Sequence, residues 1–375
     1  MTEIDRRRFL ATAVAAAAVA ARPGFAAEPR SQTFAAARFD RDGASVALVA
    51  DDGREAATRP LPDRGHGIAL SPDGETLVVV ARRPGRWADV LAARDLRPLA
   101  RLEAPAGRHF YGHGCFSADG RRFFTTENDA DGGDGMIGIW DATRGFPRIG
   151  ERSSGGVGPH DIALTPDGRG LIVANGGIRT HPETGRDILN RDTMHPNLAL
   201  LSADADEIVA VADLGPDLRL SSIRHLAVAA DGEVVFGCQF EGEKGVMPPL
   251  VGSWRPDRAG RAPVLWEMPD AGLARLADYV GSVALDASGR LVAATSPRGG
   301  ATAFFERATG RFLGLADLPD VCGVAADRDG FLLTSGAAGL RRATAVAGRT
   351  VLTDPNPALA AHAWDNHLTR IAPRI

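Results

Sequence analysis

The phrase His66-Gly-Ile-Ala-Leu-Ser-Pro-Asp-Gly74 recurs along the chain. Each copy joins a His or a small residue to alternating apolar residues and ends in Asp-Gly or a near equivalent. The other copies are His113-Gly-Cys-Phe-Ser-Ala-Asp-Gly120, His160-Asp-Ile-Ala-Leu-Thr-Pro-Asp-Gly168, His225-Leu-Ala-Val-Ala-Ala-Asp-Gly232 and the weaker Gly281-Ser-Val-Ala-Leu-Asp-Ala-Ser-Gly289 and Cys322-Gly-Val-Ala-Ala-Asp-Arg-Asp-Gly330. Alternation predicts a strand, and Asp-Gly predicts a tight turn. Such repeats, spaced at roughly 40 to 50 residues, are typical of β-propeller blades.

The two ends of the chain together supply one further blade. Strands are predicted over Thr33–Phe39, Ser45–Ala50 and Glu55–Leu61, and this group lacks an inner strand. The C-terminal segment Asn366–Ile371 resembles the inner-strand segment Arg224–Ala229, so we expect the C-terminus to complete the first blade. Inner strands then lie near residues 66, 113, 160, 225, 282, 322 and 367. The prediction is an all-β, seven-bladed propeller of YVTN/WD40-like repeats, whose closure removes open sheet edges.

The composition is that of a folded protein without a nucleic-acid partner. Hydrophobic residues make up 44% of the chain and charged residues 24%, and 44 glycines and 24 prolines fit many tight turns. The formal net charge is −4, whereas a nucleic-acid site calls for a basic face. We predict a single propeller domain over residues 28–375. Its three cysteines, Cys115, Cys238 and Cys322, lie among apolar neighbours and are predicted to be buried free thiols.

The first 27 residues predict a targeting segment. The stretch Asp5-Arg-Arg-Arg-Phe-Leu10 carries the paired arginines of a twin-arginine signal, and Ala11–Ala21 forms a short apolar run. Gly24-Phe-Ala26 offers small residues at the cleavage positions. No later segment reaches about 18 apolar residues, so the mature protein is predicted to be periplasmic and to have no membrane span.

Strand direction predicts where a site would lie. An inner strand crosses from one face of the ring to the other, and the second strand returns beside it, so the start of the first meets the end of the second. We call this face the mouth. The inner strands start with His66, His113, His160, His225 and His367, and the second strands end with Arg82, Arg83, Glu127, Asn128, Asn175, Gln239 and Glu241. The longest loops, over 127–135, 176–196 and 241–251, fall on the same face.

The register of these histidines leaves two interpretations open. His66 and His160 lie seven residues before the Asp of their Asp-Gly turn, whereas His113 and His225 lie six before theirs. A shift of one residue turns a side chain to the other side of a strand, so two histidines could face a blade interface instead of the channel. A β-bulge would restore a common direction.

The mouth residues predict a transition-metal site. Neutral imidazole binds copper, zinc and iron, and carboxylates favour iron, zinc or manganese over Cu(I). The predicted ligands are His113, Glu127, His160, His225 and His367. Gating or anion-holding residues are predicted in the blade-four insertion, namely Arg179, His181, Arg186 and His195. The remaining predicted residues of the binding face are His66, Asn128, Asn175, Gln239 and Glu241.

Several motifs resemble those of one exported bacterial propeller family. They are the twin-arginine leader, Arg108-His-Phe-Tyr-Gly-His-Gly114 with Thr125-Thr-Glu-Asn128, the insertion over 174–186 with Asp192-Thr-Met-His-Pro196, and the ending Ala363-Trp-Asp-Asn-His367. That family is catalogued as a domain of unknown function, and its genes often neighbour those of imelysin-type iron-uptake proteins. The resemblance covers essentially the whole mature chain. It implies a periplasmic seven-bladed propeller with an iron-acquisition role and an imelysin-type partner, but it implies no reaction or ligand set.

Two further resemblances are confined to the repeats. Pro159-His-Asp-Ile-Ala163 is similar to the repeats of propeller lactonases, and His-Gly at inner-strand starts is similar to the copper-cluster ring of nitrous oxide reductase. A shared fold does not carry a function with it. Three functions therefore stay open: a metal-binding accessory protein, an enzyme that is either a lactonase-like hydrolase or a metal-dependent oxidoreductase, and a docking platform without metal.

Overall fold

The computed structural model describes residues 31–185, 187–256, 261–346, 349–356 and 362–371. These residues form seven four-stranded antiparallel sheets, and Gln32–Ile375 is one compact unit. The predicted twin-arginine segment, residues 1–27, lies outside the described residues.

The strands are numbered in chain order, and each blade is one sheet. Blade one contains β1 (Thr33–Asp40), β2 (Gly43–Ala50), β3 (Glu55–Pro60) and β28 (Trp364–Ile371). Blade two contains β4 (Gly65–Leu70), β5 (Thr76–Ala81), β6 (Trp87–Ala92) and β7 (Pro98–Glu103). Blade three contains β8 (Arg108–Phe116), β9 (Arg122–Asp129), β10 (Gly135–Asp141) and β11 (Arg148–Ser153).

The remaining four blades follow the same order. Blade four contains β12 (Pro159–Leu164), β13 (Gly170–Asn175), β14 (Asn197–Ser202) and β15 (Ile208–Asp213). Blade five contains β16 (Ser221–Val228), β17 (Val234–Phe240), β18 (Val251–Trp254) and β19 (Val264–Leu265). Blade six contains β20 (Ser282–Leu285), β21 (Leu291–Ser296), β22 (Ala301–Glu306) and β23 (Arg311–Asp317), and blade seven contains β24 (Val321–Asp327), β25 (Gly330–Ser335), β26 (Gly339–Val346) and β27 (Arg349–Asn356).

Helices occur only in connections within the described part of the chain. The α-helix α1 (Asp270–Leu276) joins blades five and six and buries Leu273 and Leu276. Short 3₁₀ helices lie at Pro182–Thr184, Arg191–Thr193 and Pro216–Leu218. None of these helices is long and apolar enough to span a bilayer.

The C-terminal strand closes the ring, as the sequence predicts. β28 pairs antiparallel with β1 in register from Thr33 opposite Ile371 to Ala36 opposite Leu368, and the sheet order is β28-β1-β2-β3. The seven inner strands are β28, β4, β8, β12, β16, β20 and β24, and each contacts the next around the ring. Every predicted inner-strand position falls within or next to one of them.

The Asp-Gly turns lie at the opposite end from the mouth. In the first of them Asp73 accepts a hydrogen bond from the backbone of Glu75, and Gly74 has a φ of 74°. Positive φ at this position is the reason for glycine there. Gly120, Gly168 and Gly232 repeat that conformation. The turns are short because Asp caps them from its side chain, so long insertions are left to the mouth.

The core lies between neighbouring blades. Leu48 of β2, Leu77 and Val79 of β5 and Leu91 of β6 are buried together between the first two blades. Inner and middle strands are covered on both faces, whereas an outer strand such as β3 alternates exposed and half-buried residues. This pattern explains why second strands such as β5 and β13 appear in the sequence as nearly continuous apolar runs.

Candidate metal centre

β-Bulges direct all five inner-strand histidines toward the channel. The pairing of β4 with β5 shifts between Gly65 and Ile68, around His66, and the pairing of β8 with β9 shifts between Phe110 and Gly114, around His113. Equivalent shifts lie at His160, beside His225 and at the residues of β28 that include His367. A bulge changes the direction of a side chain, which resolves the difference of one residue in the repeats in favour of the channel.

The five imidazoles form one cluster. Ring centroids are 4.5 Å apart for His66 and His367, 5.1 Å for His113 and His160, and 4.7 Å for His160 and His225. Two triads have all their ligand atoms within 4.8 Å of one another, namely His66 with His113 and His367, and His113 with His160 and His225. His113 belongs to both triads, so it is the central residue of the cluster.

A carboxylate lies behind each of two histidines of this cluster: the half-buried Asp161 behind His113 and the buried Asp365 behind His66. The Oδ1 atom of Asp161 lies 3.1 Å from Nδ1 of His113, and Oδ1 of Asp365 lies 3.4 Å from Nδ1 of His66. A carboxylate can only accept, so the hydrogen bond to Asp365 places the hydrogen on Nδ1 of His66 and leaves the lone pair on its Nε2. Metal-binding histidines commonly have such a carboxylate behind them. Arg64 and Arg82 also donate to Asp365 and hold it in place.

Four imidazoles of the cluster, those of His66, His160, His225 and His367, are neutral. Burial lowers the pKa of His66 to about 3 in spite of the neighbouring Asp365. Burial also lowers the pKa of His160, His225 and His367 well below the ordinary value, and the positive charge of Arg224 adds to the effect at His160. Neutral imidazole is the form that binds metal.

Metal-free protein is expected to lose stability as the pH falls from 7.5 to 5. The unfolded chain binds protons at these histidines near pH 6.5, whereas the folded chain does not, so stability is full above pH 6.5 and declines below it. For His66 alone the loss between pH 6.5 and 5 is about 2 kcal/mol, and the other lowered histidines act in the same direction. Urea denaturation at both pH values measures the difference.

The matched control is His66→Gln, which should show a shallower pH dependence than the parent. Asp365 has a lowered pKa and loses its contribution only below this range, while Glu127, with a pKa raised by burial, acts in the opposite direction. The same pH dependence in parent and variant would contradict the assignment to His66.

The donor geometry fits a metal ion. Nε2 of His113, Nε2 of His160 and both ring nitrogens of His225 are buried without a hydrogen-bond partner. Buried polar atoms without a partner are rare and indicate an ion or a water molecule. Nε2 of His66 and Nε2 of His367 are 3.3 Å apart, close to the roughly 3.3 Å between two nitrogens that are each about 2 Å from a tetrahedral metal.

Glu127 does not join the histidines. Its Oε1 atom accepts hydrogen bonds from Nη1 of Arg148 at 2.7 Å and from Oγ1 of Thr125 at 2.6 Å. Arg148 lies on β11, so the carboxylate points outward across the blade and over Gly138 of β10. The predicted ligand is therefore an internal ion-pair partner, because alternation along β9 turns it away from the channel.

Gly138→Ala is expected to destabilise the protein by about 1–3 kcal/mol, the usual effect of overpacking a filled site. A Cβ atom there would overlap Oε1 of Glu127 and lie 2.6 Å from both Nη1 of Arg148 and Oγ1 of Thr125. Gly150→Ala in the same blade is the control, because a Cβ at Gly150 meets no atom within 4 Å. Chemical denaturation compares them, and equal effects of the two substitutions would contradict the packing around Glu127.

The predicted amide residues have mixed positions. Gln239 and Glu241 line a cleft at the mouth. The side chain of Asn175 instead bonds to Ser154, in the connection from blade three, and to Asn197 of its own blade. Asn128 donates to the carbonyl of Thr180 and so contacts the blade-four insertion.

The insertion residues lie outside the cluster. Nη2 of Arg179 donates to the carbonyl of Asp131 at 2.6 Å, and Nδ1 of His181 accepts from the backbone of Glu183. His195 is largely exposed beside Asp213. Arg186 lies outside the described residues. Arg179 thus connects the insertion to the neighbouring blade-three loop, and the two described histidines belong to the insertion itself.

Sequence reasoning missed the carboxylates behind the histidines. Asp161 follows His160 directly, yet its carboxylate serves His113 of the preceding blade. Asp365 lies two residues before His367 and serves His66. An acidic residue next to an inner-strand histidine was the available signal. All three cysteines are free thiols, as predicted; Cys238 and Cys322 are buried and Cys115 is partly exposed. Neither histidine triad includes a cysteine.

Solved structures share this fold at low sequence identity. Hydrazine synthase of Kuenenia stuttgartiensis is 14% identical, with a TM-score of 0.57 over 82% of this chain and 89% of that chain. The β-propeller domain of Cps50 (Swd1) from Myceliophteria thermophila is 15% identical, with a TM-score of 0.56 over 87% and 98%. A functionally unknown protein from Desulfotomaculum acetoxidans is 13% identical, with a TM-score of 0.52 over 77% and 86%. These likenesses show the fold alone.

Sequence comparison identifies a family to which no function is assigned. No curated protein matches the chain. A family profile described as "Protein of unknown function (DUF1513)" matches residues 59–371.

Proposed function

Because the chain belongs to the DUF1513 family, whose description assigns no function, we propose from the histidine cluster itself that this propeller binds a transition-metal ion at its mouth. One observation carries the proposal. Five imidazoles from five blades converge, and buried nitrogens of His113, His160 and His225 have no hydrogen-bond partner. His66, His113, His160, His225 and His367 are the proposed ligands.

The donor set favours copper or zinc. Imidazole suits copper, zinc, iron and nickel. Among these divalent ions, copper binds nitrogen ligands most tightly. Neither triad includes a carboxylate among the described residues. Iron stays a candidate because the resemblance described above implies an iron-acquisition role.

The arrangement suits a metal that exchanges with solvent. His66 and His160 line a small chamber that opens toward the mouth, so the cluster is reached from one side. Asp365 accepts a hydrogen bond from Nδ1 of His66 and so leaves Nε2 of that ring ready to coordinate, while Asp161 lies behind His113. A bound ion would act as a Lewis acid or a redox centre. Because the ion would be accessible from the mouth, the site fits an accessory protein of metal acquisition.

Metal loading of the purified protein tests the proposal. Elemental mass spectrometry on protein exported by its native route should find about one or two equivalents of copper, zinc or iron. Metal-free protein should take up the same ion in a calorimetric titration. Absence of metal in the purified protein, together with no uptake of any of the three ions, would contradict the proposal.

The proposed function also includes export to the periplasm and a protein partner. We propose that residues 1–27 direct twin-arginine export to the periplasm and that an imelysin-type iron-uptake protein docks on the mouth loops. Replacing Arg6 and Arg7 with lysine and fractionating cells tests the first part, since unaffected periplasmic protein would contradict it. Deleting residues 178–194 tests the second, since unchanged binding of the partner would remove the insertion from the interface.

An enzyme is the second candidate. Clefts of about 360 Å³ lie at the mouth, which is within the size range of small-molecule sites. Such an enzyme would be a lactonase-like hydrolase or an oxidoreductase. Turnover of lactones or redox dyes that depends on the loaded metal would favour it, and inactive metal-loaded protein would favour the accessory role.

A further inference from the structure

Arginines and tyrosines form the chamber directly above the histidine cluster. We call it the arginine chamber. Its wall consists of His66, His160, Arg82, Arg83, Arg224, Tyr111 and Tyr279. Two larger clefts share residues with this wall: one shares Arg82 and Tyr279, and the other shares Arg83 and Arg224. The exposed Arg298 lines both clefts, so the chamber and the two clefts lie next to one another at the mouth.

The charge of this mouth is positive. The chamber wall contains three arginines and no carboxylate. The two clefts add Arg64 and Arg298, against Asp320 and Glu241. Five arginines therefore face two carboxylates. Arg64 and Arg82 both form ion pairs with the buried Asp365 beneath the wall.

Two of these arginines have no carboxylate partner among the described residues, and both are held in place by tyrosines. Arg83 lies over the ring of Tyr111, 5.1 Å from its centroid, and Arg298 lies over that of Tyr279 at 4.9 Å. The rings are fixed in turn, because Tyr111 donates to the carbonyl of Ile178 and Asn366 donates to the hydroxyl of Tyr279. The stacked guanidinium groups thus keep their donors free and their positions set before any ligand arrives.

Arg224 adds a third guanidinium deeper in the wall. Arg224 is only 4% exposed. Guanidinium stays protonated in proteins, but Arg224 makes a contact of its own within the protein, so the available donors are those of Arg83 and Arg298. Cations in a concave, partly desolvated wall attract an anion more strongly than the same charges on an open surface.

We propose that the cleft beside the arginine chamber, which Arg83 and Arg298 both line, binds an oxyanion, a small ligand with carboxylate or phosphate oxygens. This cleft encloses about 360 Å³, whereas the chamber itself encloses only about 20 Å³. Guanidinium groups recognise both by paired N–H donors, and two stacked arginines at the entrance suit a ligand with more than one such group. The anion would lie on the open side of the histidine cluster. This inference rests on the proposed function only where it places the anion next to the metal.

Titration of the metal-free protein with citrate and with inorganic phosphate tests the anion site. Calorimetry should detect saturable binding of at least one, and the anion that binds identifies the carboxylate or the phosphate as the natural group. Arg83→Gln and Arg298→Gln should each weaken binding by about tenfold, the scale of one hydrogen-bonded charge. Binding of neither anion, or equal binding by the double variant, would overturn the proposal.

Two controls separate charge and folding from the site. Arg94→Gln with Arg144→Gln removes the same charge from exposed turns on the opposite face and should leave anion binding unchanged. Arg298 is exposed, so Arg298→Gln alone is the variant to use if the double variant unfolds on circular dichroism.

A second series distinguishes the anion site from the metal site. Metal uptake by Arg83→Gln/Arg298→Gln should equal that of the parent. Anion binding by a protein that takes up no metal would support the anion site while contradicting the proposed function. Tighter citrate binding after metal loading would support contact between anion and metal, and unchanged affinity would overturn that contact.

Discussion

The double variant His113→Ala/His160→Ala is expected to lose metal binding, with affinity falling on the order of 100-fold or more. His113 belongs to both triads and His160 to one, so no triad stays complete in the variant. Loss of a residue behind a metal ligand costs about 10- to 100-fold in affinity, and loss of two ligands should exceed that. Calorimetric titration of metal-free parent and variant with the ion found in the purified protein measures the change.

The control for this variant is His181→Ala/His195→Ala. Both residues lie in the blade-four insertion, and the structure places neither in a triad. This control variant removes the same number of histidines, so it also measures any metal that surface imidazoles bind loosely. Equal metal affinity in the two double variants would contradict the cluster as the site. Circular dichroism should show the propeller intact in both.

Deleting residues 362–375 is expected to prevent stable folding. β28 is the inner strand of the first blade, and without it β1 is left as an open edge beside the channel. Trp364 and Leu368 are buried against Phe34, Ala36 and Leu332. Losing those two side chains alone costs about 5–10 kcal/mol by analogy with truncation to alanine, which equals the whole stability of a typical domain.

Soluble yield and a urea unfolding curve measure this effect. Deleting only residues 372–375 is the control, since β28 ends at Ile371 and its pairing with β1 is retained. A synthetic peptide of residues 362–375 added during refolding should restore some native protein. Cooperative unfolding of the 362–375 deletion at the parent's midpoint would contradict closure by β28.

The fold was predictable because its signals are local. The His-to-Asp-Gly phrase places each inner strand and turn within nine residues or fewer, and its recurrence predicts blades. The three strands predicted over Thr33–Leu61 lack an inner strand, and the segment Asn366–Ile371 resembles one. Together they predicted closure of the ring, which the pairing of β28 with β1 confirms. The position of the histidines at the mouth follows from strand direction in the same way.

Which side chains make up the site could be determined only from the tertiary structure. Alternation places a side chain on one side of an ideal strand, but bulges at the inner strands redirect the histidines, and a bulge has no reliable pattern in one sequence. Glu127 occupies a strand end as predicted, yet its carboxylate is held by Arg148 from the outermost strand. Only the sheet register brings that partner within reach.

By itself, the sequence determined the blade count, the closure of the ring and the face that carries the histidines, because period-two alternation and Asp-Gly turns are short-range properties of the chain. Tertiary structure alone decided which atoms meet. Asp365 and His66 are 299 residues apart in the chain, and Arg83 and Arg298 reach one mouth from blades two and six. Contacts of that separation arise from closing the ring, so no local pattern of residues encodes them.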